Sequence, residues 1–173
     1  MGSNINPAVI NYTLFEDSTE YVGLAQVTLP SLQMITANVR GAGLAGEIET
    51  VLIGQMKAMQ VQIQMLTLTK QGIDLMEQRI HTWELREAQQ SVDGQTGMHS
   101  VEEVKHIMRV FPKQMDGGTL QPQNTSNPNV AGAVYYWAEY RNGKKVLELD
   151  PFNYICFIND HDYLADVRKA LGK

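Results

Sequence analysis

Cysteine and charge are both scarce in this chain. Cys156 is the single cysteine among 173 residues, so no disulfide can form within the chain, and we expect it to be a small buried hydrophobe in a strand. Charged residues make up 19% of the sequence, and the formal net charge is -5. This balance argues against a protein that grips nucleic acid through a basic surface, although it is compatible with one that lets nucleic acid pass.

Long apolar runs are missing as well. No stretch approaches the roughly 20 apolar residues that a membrane-spanning helix needs. Residues Met1 to Ala8 carry neither the basic block nor the apolar block of a signal peptide. We therefore expect an intracellular soluble protein without a membrane partner, and a length of 173 residues predicts one domain with its own core.

The spacings that catalysis and metal binding require are also absent. The sequence has no Gly-x-Ser-x-Gly elbow, and adjacent carboxylates such as Glu102 and Glu103 would face opposite sides of a strand. No two histidines have the four-residue spacing of a zinc-binding helix: His81, His99, His106 and His161. We predict no catalytic residues, no metal site and no cofactor, and therefore a protein that is not an enzyme.

A regular alternation of apolar and amide side chains is the most informative pattern present. Residues Met59 to Met65 read Met-Gln-Val-Gln-Ile-Gln-Met, without a charge. Because successive side chains of a strand point to opposite faces, one face is apolar and must pack on a core. The other face carries Gln60, Gln62 and Gln64, a neutral surface past which another molecule slides without binding.

A glycine-rich segment, Arg40 to Gly46, lies within a region predicted to be an extended loop at about 31–50. The order Gly-Ala-Gly-Leu-Ala-Gly matches a dinucleotide-binding fingerprint only weakly, because neither a convincing strand before it nor a helix after it is evident. With few large side chains, the segment cannot build a core of its own. We expect an extended arm that docks on another surface.

Strands and turns dominate the remaining sequence. Pro7 to Phe15 and Tyr21 to Leu29 predict a hairpin. Asn142-Gly143, between Val134–Arg141 and Lys144–Leu149, is a strong hairpin signal, since both turn positions favour positive φ. Further strands are expected at Arg79–Gln90 and Phe152–Ile158, and a long loop at about 112–129.

Helices are predicted at two places. Thr69 to Gln78 suggests one short helix, and Asp160 to Leu171 a second helix with Asp160 as the N-cap. Thr50 to Met59 is compatible with a strand or a helix. The whole pattern predicts a mainly β protein, an antiparallel barrel or sandwich with one or two short α-helices.

Ser100 to Phe111 gives conflicting signals. Ser100 and Glu103 fit a capping box, and the apolar residues that follow have helical spacing. As a strand, the same segment would place Glu102 and His106 on the face shared by Val104 and Met108. Local pattern favours the helix.

Free strand edges point towards assembly. A regular strand such as Met59 to Met65 would promote aggregation unless its sheet edges were paired or covered. Head-to-tail pairing between copies closes into a ring when the rotation allows it, and a barrel of many strands encloses a channel. In that arrangement the three glutamines line the channel, and the glycine-rich segment reaches the next ring.

Several short motifs resemble the major tail tube protein family of contractile-tailed, P2-like bacteriophages. Val27-Thr28-Leu29-Pro30 resembles the end of the family's second strand, and Arg40-Gly41-Ala42-Gly43 followed by Gly46 resembles its Arg-Gly-Ala-Gly loop. Gly143 to Asp150 resembles a family hairpin, and Arg168 to Gly172 falls in the family's C-terminal helix. Ser100 to Met108 occupies the position of a long family strand, so the resemblance predicts a strand there. Lys70 to Arg79 departs from the family, which has a longer helix at this corner.

The resemblance implies a single tail tube domain over 1–173 and an inner tube of stacked homohexameric rings through which DNA passes without sequence recognition. It also implies a sheath protein outside the tube, baseplate and terminator proteins at its ends, and a location in the virion tail after assembly in the host cytoplasm. The lumen-lining residues would be Gln60, Gln62 and Gln64. The inter-ring arm would be Arg40, Gly41, Ala42, Gly43, Leu44 and Gly46. Two alternatives remain open: the equivalent tube of a bacteriocin-like particle or contractile injection system, and a monomeric ligand-binding β-barrel.

Overall fold

A computed structural model describes residues 4–17, 19–21 and 23–173. Within these residues the chain forms twelve strands and two short helices. The strands are β1 (Asn4–Glu16), β2 (Thr19–Tyr21), β3 (Leu24–Thr28), β4 (Met34–Val39), β5 (Ile48–Met56), β6 (Met59–Met65), β7 (His81–Asp93), β8 (His99–Asp116), β9 (Asn129–Arg141), β10 (Lys144–Asp150), β11 (Ile155–Ile158) and β12 (His161–Asp162). The helices are α1 (Lys70–Asp74) and α2 (Ala165–Ala170). Neither of these helices is long and apolar enough to cross a membrane.

Strand β9 organises the main sheet. One edge of β9 pairs with β8 along most of its length, while the other edge pairs first with β6 and then with β10. The sheet continues from β8 through β7 and β1 to β2, and β3 pairs with β6. Strands β4 and β5 form a separate two-stranded sheet. Every recorded pairing is antiparallel, so the predicted mainly β antiparallel fold is confirmed.

The core lies on one face of this sheet. Alternation along the strands directs Trp83, Met108 and Trp137 to the same side, where each is buried. The apolar residues of β6 join them, and Cys156 of β11 is fully buried, as predicted for this residue. Burial also raises the pKa of the Cys156 thiol, which keeps it protonated. We call the opposite side of the sheet its open face.

Of the two predicted hairpins, the Asn-Gly hairpin is present and the N-terminal one is present only in part, because β3, within its predicted second strand, pairs with β6 rather than with β1. Asn142 and Gly143 connect β9 to β10 with φ values of 46° and 78°. At the other end of the chain, β1 pairs with β2 from Leu14 to Glu16. The predicted turn and second strand of that hairpin include Ser18 and Val22, which lie outside the described residues.

Ser100 to Phe111 is a strand, as the family resemblance predicts, and the local preference for a helix is wrong. The segment is part of β8, which pairs with β7 on one side and β9 on the other. A strand hydrogen-bonded along both edges gains more from pairing and burial than a capping box offers. His106 is accommodated on the core face because a cavity and two carboxylates lie beside it.

The C-terminal helix is shorter than predicted. Asp160 is not its N-cap: it has φ of 68°, and β12 follows it before α2 begins at Ala165. Asp162 organises this corner instead, because its Oδ1 accepts hydrogen bonds from the backbone N–H groups of Leu164 and Cys156. The pairing of β12 with β11 therefore occupies the residues expected to form the first helical turn.

The two predicted loops contain more strand than expected. Strand β4 and the start of β5 lie within 31–50, because these segments pair with each other rather than remaining extended alone. Strand β8 continues to Asp116, which leaves 117–128 as the loop before β9. The ambiguous segment from Thr50 is strand up to Met56, and the predicted short helix is present as α1, with Thr69 as its N-cap.

Candidate assembly surfaces

The two faces of β6 differ as the sequence predicts. Met59, Val61, Ile63 and Met65 are all at most 4% exposed. Gln60 on the open face is exposed, and Gln62 and Gln64 are half-buried. The alternation therefore produces an apolar core side and an amide side within one strand.

Small and neutral residues surround these glutamines. Gln62 lies opposite Ala131 of β9 and opposite Thr28 of β3. Gln64 lies opposite Asn129 and Gln26 in the same way. Since directly opposed residues share a face, the open face carries a neutral patch across three strands, which we call the amide patch.

A cation borders the amide patch, which sequence periodicity did not indicate. Lys113 Nζ donates a hydrogen bond to Gln60 Oε1 at 3.2 Å. Lys113 follows Pro112 at a register shift between β8 and β9, so simple alternation along β8 does not predict its position. The patch is therefore neutral at its centre and positively charged at one margin.

Cations stacked on aromatic rings lie elsewhere on the open face. Arg109 Cζ lies 4.5 Å from the Tyr136 ring centroid, and Lys105 Nζ lies 5.3 Å from the Tyr140 centroid. Two further pairs have the same form: Arg86 over Phe15, and Lys145 over Phe157.

Carboxylates pair with several of these cations, so much of their charge is compensated within the subunit. Arg109 Nη2 lies 3.2 Å from Asp150 Oδ2, and Lys145 pairs with Glu148. The Tyr136 hydroxyl donates to Glu148 Oε1 at 3.0 Å; burial and this negatively charged partner raise the pKa of Tyr136. Tyr136 and Tyr140 of β9 therefore support cations on the open face.

Strands β4 and β5 and their connecting loop, residues 34–56, project from the main sheet; we call them the arm. Its tip contains the predicted glycine-rich segment, and every residue from Arg40 to Gly46 is exposed. A backbone hydrogen bond from Leu44 N–H to Gly41 C=O, at 3.2 Å, closes the tip, and Gly43 has φ of 94°. Large apolar side chains are exposed along the arm: Ile35, Val39, Leu44, Ile48, Val51, Leu52 and Ile53. A two-stranded ribbon with this composition gains stability when a partner covers it.

The histidines serve structural roles or lie at the surface. His81 is fully buried, and its two ring nitrogens face Glu16 Oε1 and the Glu77 carbonyl, which joins β7 to β1. His99 and His161 are exposed. Among the residues that the structure describes, no group of three or more His, Cys, Asp or Glu side chains is arranged to hold a metal ion.

His106 lines a cavity of about 360 Å³ that is bordered by residues of β1, β3, β7, β8 and β9. Its Nδ1 accepts a hydrogen bond from Trp137 Nε1 at 3.4 Å, so the ring proton belongs on Nε2 when the histidine is neutral. Burial lowers the pKa of His106 and outweighs the opposing influence of Glu139 and Glu87. Nε2 and the Tyr12 hydroxyl are both buried without a hydrogen-bond partner in the described structure. Sequence periodicity had placed His106 on this face but had not indicated the cavity.

Comparisons with known proteins bear on the fold and the family. The family model described as phage tail tube protein FII matches residues 7–172. No curated protein matches the chain in sequence. A chain in the cryo-EM structure of an extracellular contractile injection system, the PVC sheath/tube terminator in extended state, superposes with a TM-score of 0.57 at 8% identity, over 77% of this chain and 95% of that chain. A chain in the cryo-EM structure of the anti-feeding prophage (AFP) baseplate, 6-fold symmetrised, has a TM-score of 0.45 at 8% identity, over 80% and 97% of the two chains. The superposition on the terminator agrees with the mainly β fold.

Proposed function

The chain belongs to the phage tail tube protein FII family, and we propose that its copies form hexameric rings that stack into the inner tube of a contractile tail. The family is structural and not enzymatic. In this proposal residues 1–173 act as a single domain, and the rings enclose a channel through which DNA passes.

The amide patch supports the assignment of the channel lining. A surface that lets DNA pass must not hold phosphates, and phosphate binding depends on lysine and arginine. Gln60, Gln62 and Gln64 present neutral amides in a row, flanked by alanine, threonine and asparagine. We assign these three glutamines to the lumen, where they contact passing DNA without reading its sequence.

The arm supports the assignment of the inter-ring contact. It extends from the main sheet as a separate two-stranded ribbon with exposed apolar residues. Its tip, Arg40 to Gly46, is exposed, and its three glycines and two alanines allow close approach to another backbone. We assign this segment to the contact between successive rings, because a partner surface would cover what the isolated subunit leaves open.

The partners follow from the same arrangement. A sheath protein surrounds the tube, and baseplate and terminator proteins close its two ends. The assembled tube belongs to the virion tail, and its subunits await assembly in the host cytoplasm. These assignments rest on the family and on the presence of surfaces that the single chain does not cover.

A second candidate is the equivalent tube of a bacteriocin-like particle or contractile injection system. The superposition on the injection-system terminator agrees with the fold that both kinds of tube would share. Genes for a capsid next to this gene would favour the phage tail. Their absence, together with headless particles, would favour the second candidate.

Electron microscopy of the purified protein, combined with a sizing column, tests the proposal. Hollow rods or six-fold rings are expected. A protein that remains a monomer at every concentration would contradict the tube and favour a ligand-binding β-barrel.

A further inference from the structure

The cavity at His106 contains a carboxylate for which the described residues supply no strong cationic partner. The side chain of Glu87 is only 9% exposed, and its Oε2 lies 3.5 Å from His106 Nε2. Its other oxygen, Oε1, accepts from the neutral Gln89 amide. Because burial lowers the pKa of His106, this histidine is neutral at pH 7 and gives Glu87 no positive charge. A buried carboxylate normally has a cation or several hydrogen-bond donors beside it.

The remaining cation at this cavity is already engaged. Arg141 Nε donates to Glu139 Oε1 at 2.7 Å, and its Nη1 lies 3.4 Å from oxygens of Gln89 and Glu102. The lining carries two carboxylates, Glu87 and Glu139, and one cation, Arg141. Because His106 is neutral, the net charge of the lining is negative. The Tyr12 hydroxyl, buried without a partner, adds one more acceptor oxygen. The cavity thus offers oxygen acceptors to a group that brings hydrogen-bond donors and positive charge.

The walls of the cavity restrict the form of that group. Val9, Val27, Leu29 and Leu85 line it together with the polar residues. A free metal ion would leave this apolar wall uncovered. A side chain with an apolar stem and a planar, multidonor cationic head would fit both parts of the lining.

The arm carries such a side chain at its tip. Arg40 is exposed, and no ion pair joins it to another described residue. It is flanked by the exposed apolar residues Val39 and Leu44. Arg40 lies six residues beyond Met34 at the start of β4, so a strand of that length holds it about 20 Å from the base of the arm.

We propose that the Arg40 guanidinium of one copy inserts into the cavity of another copy, beside Glu87 and His106. The guanidinium donates hydrogen bonds to Glu87 Oε2 and to the Tyr12 oxygen, while Val39 and Leu44 cover the apolar rim. The proposal rests on the proposed function, since it identifies the surface that receives the inter-ring arm. It also explains why Glu87 has no strong cationic partner among the described residues of its own subunit.

Two charge-removing substitutions test the contact in the intact protein. Arg40→Gln and Glu87→Gln are each expected to raise the protein concentration needed for rods about tenfold or more, as for a desolvated charge pair. The double variant is expected to be no worse than the more impaired single variant, because both changes remove the same pair. Matched controls are Glu49→Gln on the arm and Glu84→Gln on the open face, which should leave that concentration unchanged. Thermal unfolding of the dissociated subunit shows whether Glu87→Gln still folds.

Disulfide formation between copies provides a second readout that does not depend on Glu87. In a Cys156→Ala background, a protein with Gly41→Cys, which keeps Arg40, is mixed with one carrying Val9→Cys at the exposed edge of the cavity and oxidised after assembly. Dimers that contain one copy of each variant support the proposal. If the wild-type protein forms rods but the effects of the two charge substitutions are additive, the cavity assignment is wrong and the tube stands. The same conclusion follows if the cysteine variants assemble without forming the cross-linked dimer. Failure of the wild-type protein to form rods or rings would instead overturn the proposed function.

Discussion

Gly54 of β5 lies directly against Leu164 at the start of α2: a Cβ added at Gly54 would be 2.5 Å from Leu164 Cγ and Cδ2. Gly54 also has φ of 67°, a backbone conformation that favours glycine. Leu164 is 2% exposed and belongs to the core. This contact fixes the base of the arm to the C-terminal part of the subunit.

We expect Gly54→Ala to destabilise this attachment. The added methyl group combines left-handed backbone strain with a clash against a core leucine, and the expected loss is about 1–3 kcal/mol of unfolding free energy. Urea unfolding measures the loss, and hydrogen exchange should become faster in residues 34–56. Gly43→Ala is the control, because Gly43 also has a positive φ but no atom lies within 4 Å of the methyl group that would be added. Equal effects of the two substitutions would contradict the packing role of Gly54.

The stability of the dissociated subunit should fall as the pH is lowered through the range in which a free histidine titrates. Burial lowers the pKa of His106, so the unfolded chain binds this proton at a higher pH than the folded chain does. The contribution is complete above about pH 6.5 and is lost between that pH and the lower folded pKa. Chemical unfolding at pH 7.5 and pH 5.5 should show this loss, and His106→Gln should reduce the pH dependence. An unchanged dependence in the variant would show that other groups cause it.

Asp150 stabilises the turn between β10 and β11. It is 3% exposed and accepts hydrogen bonds from the backbone N–H groups of Phe152 and Asn153, the Asn153 amide and Arg109 Nη2. Asp150→Ala leaves these donors without their acceptor, and we expect a loss of about 1–3 kcal/mol in thermal unfolding. Asp160→Asn is the control: it removes an ion pair with Lys144 that is exposed on both sides, keeps a side chain suited to the positive φ of this residue, and should cost about 1 kcal/mol or less. A larger loss at Asp160 would contradict this ranking.

The amide patch should govern how freely DNA moves. Gln62→Lys places a cation at the centre of the patch, where it would attract phosphates and slow DNA ejection from assembled particles. Gln71→Lys on the exposed side of α1 is the matched control and should leave ejection unchanged. Ejection can be followed by fluorescence of a DNA-binding dye. Unchanged kinetics in Gln62→Lys particles would exclude Gln62 from the channel wall.

Local sequence pattern was sufficient to predict structure where the pattern is regular over several residues or marks a specific turn. Period-two alternation in Met59–Met65 correctly predicts which side chains are buried, and Asn142-Gly143 correctly predicts a hairpin, because both depend on short-range geometry. The same kind of reasoning fails at Ser100 to Phe111, since that strand is stabilised by two neighbours distant in sequence. Family resemblance supplied the long-range information there.

The cavity and the stacked cations could not be predicted from the sequence for a related reason. Arg109 stacks on Tyr136 because the pairing of β8 with β9 places these two residues directly opposite each other. Glu87 and His106 are brought together by the pairing of β7 with β8. A sequence shows each residue's parity within its own strand but not the register between strands. The positions of the three glutamines and of the arm tip in an assembly remain predictions.

A cryo-EM reconstruction of the assembled protein tests the central claim most directly, by giving the direction of the β6 side chains relative to the tube axis. We expect Gln60, Gln62 and Gln64 to point into the bore of a six-fold tube. The alternating residues of β6 should pack on each subunit's own core: Met59, Val61, Ile63 and Met65. A tube in which these three amides face outward, or are buried between subunits, would contradict an amide-lined channel.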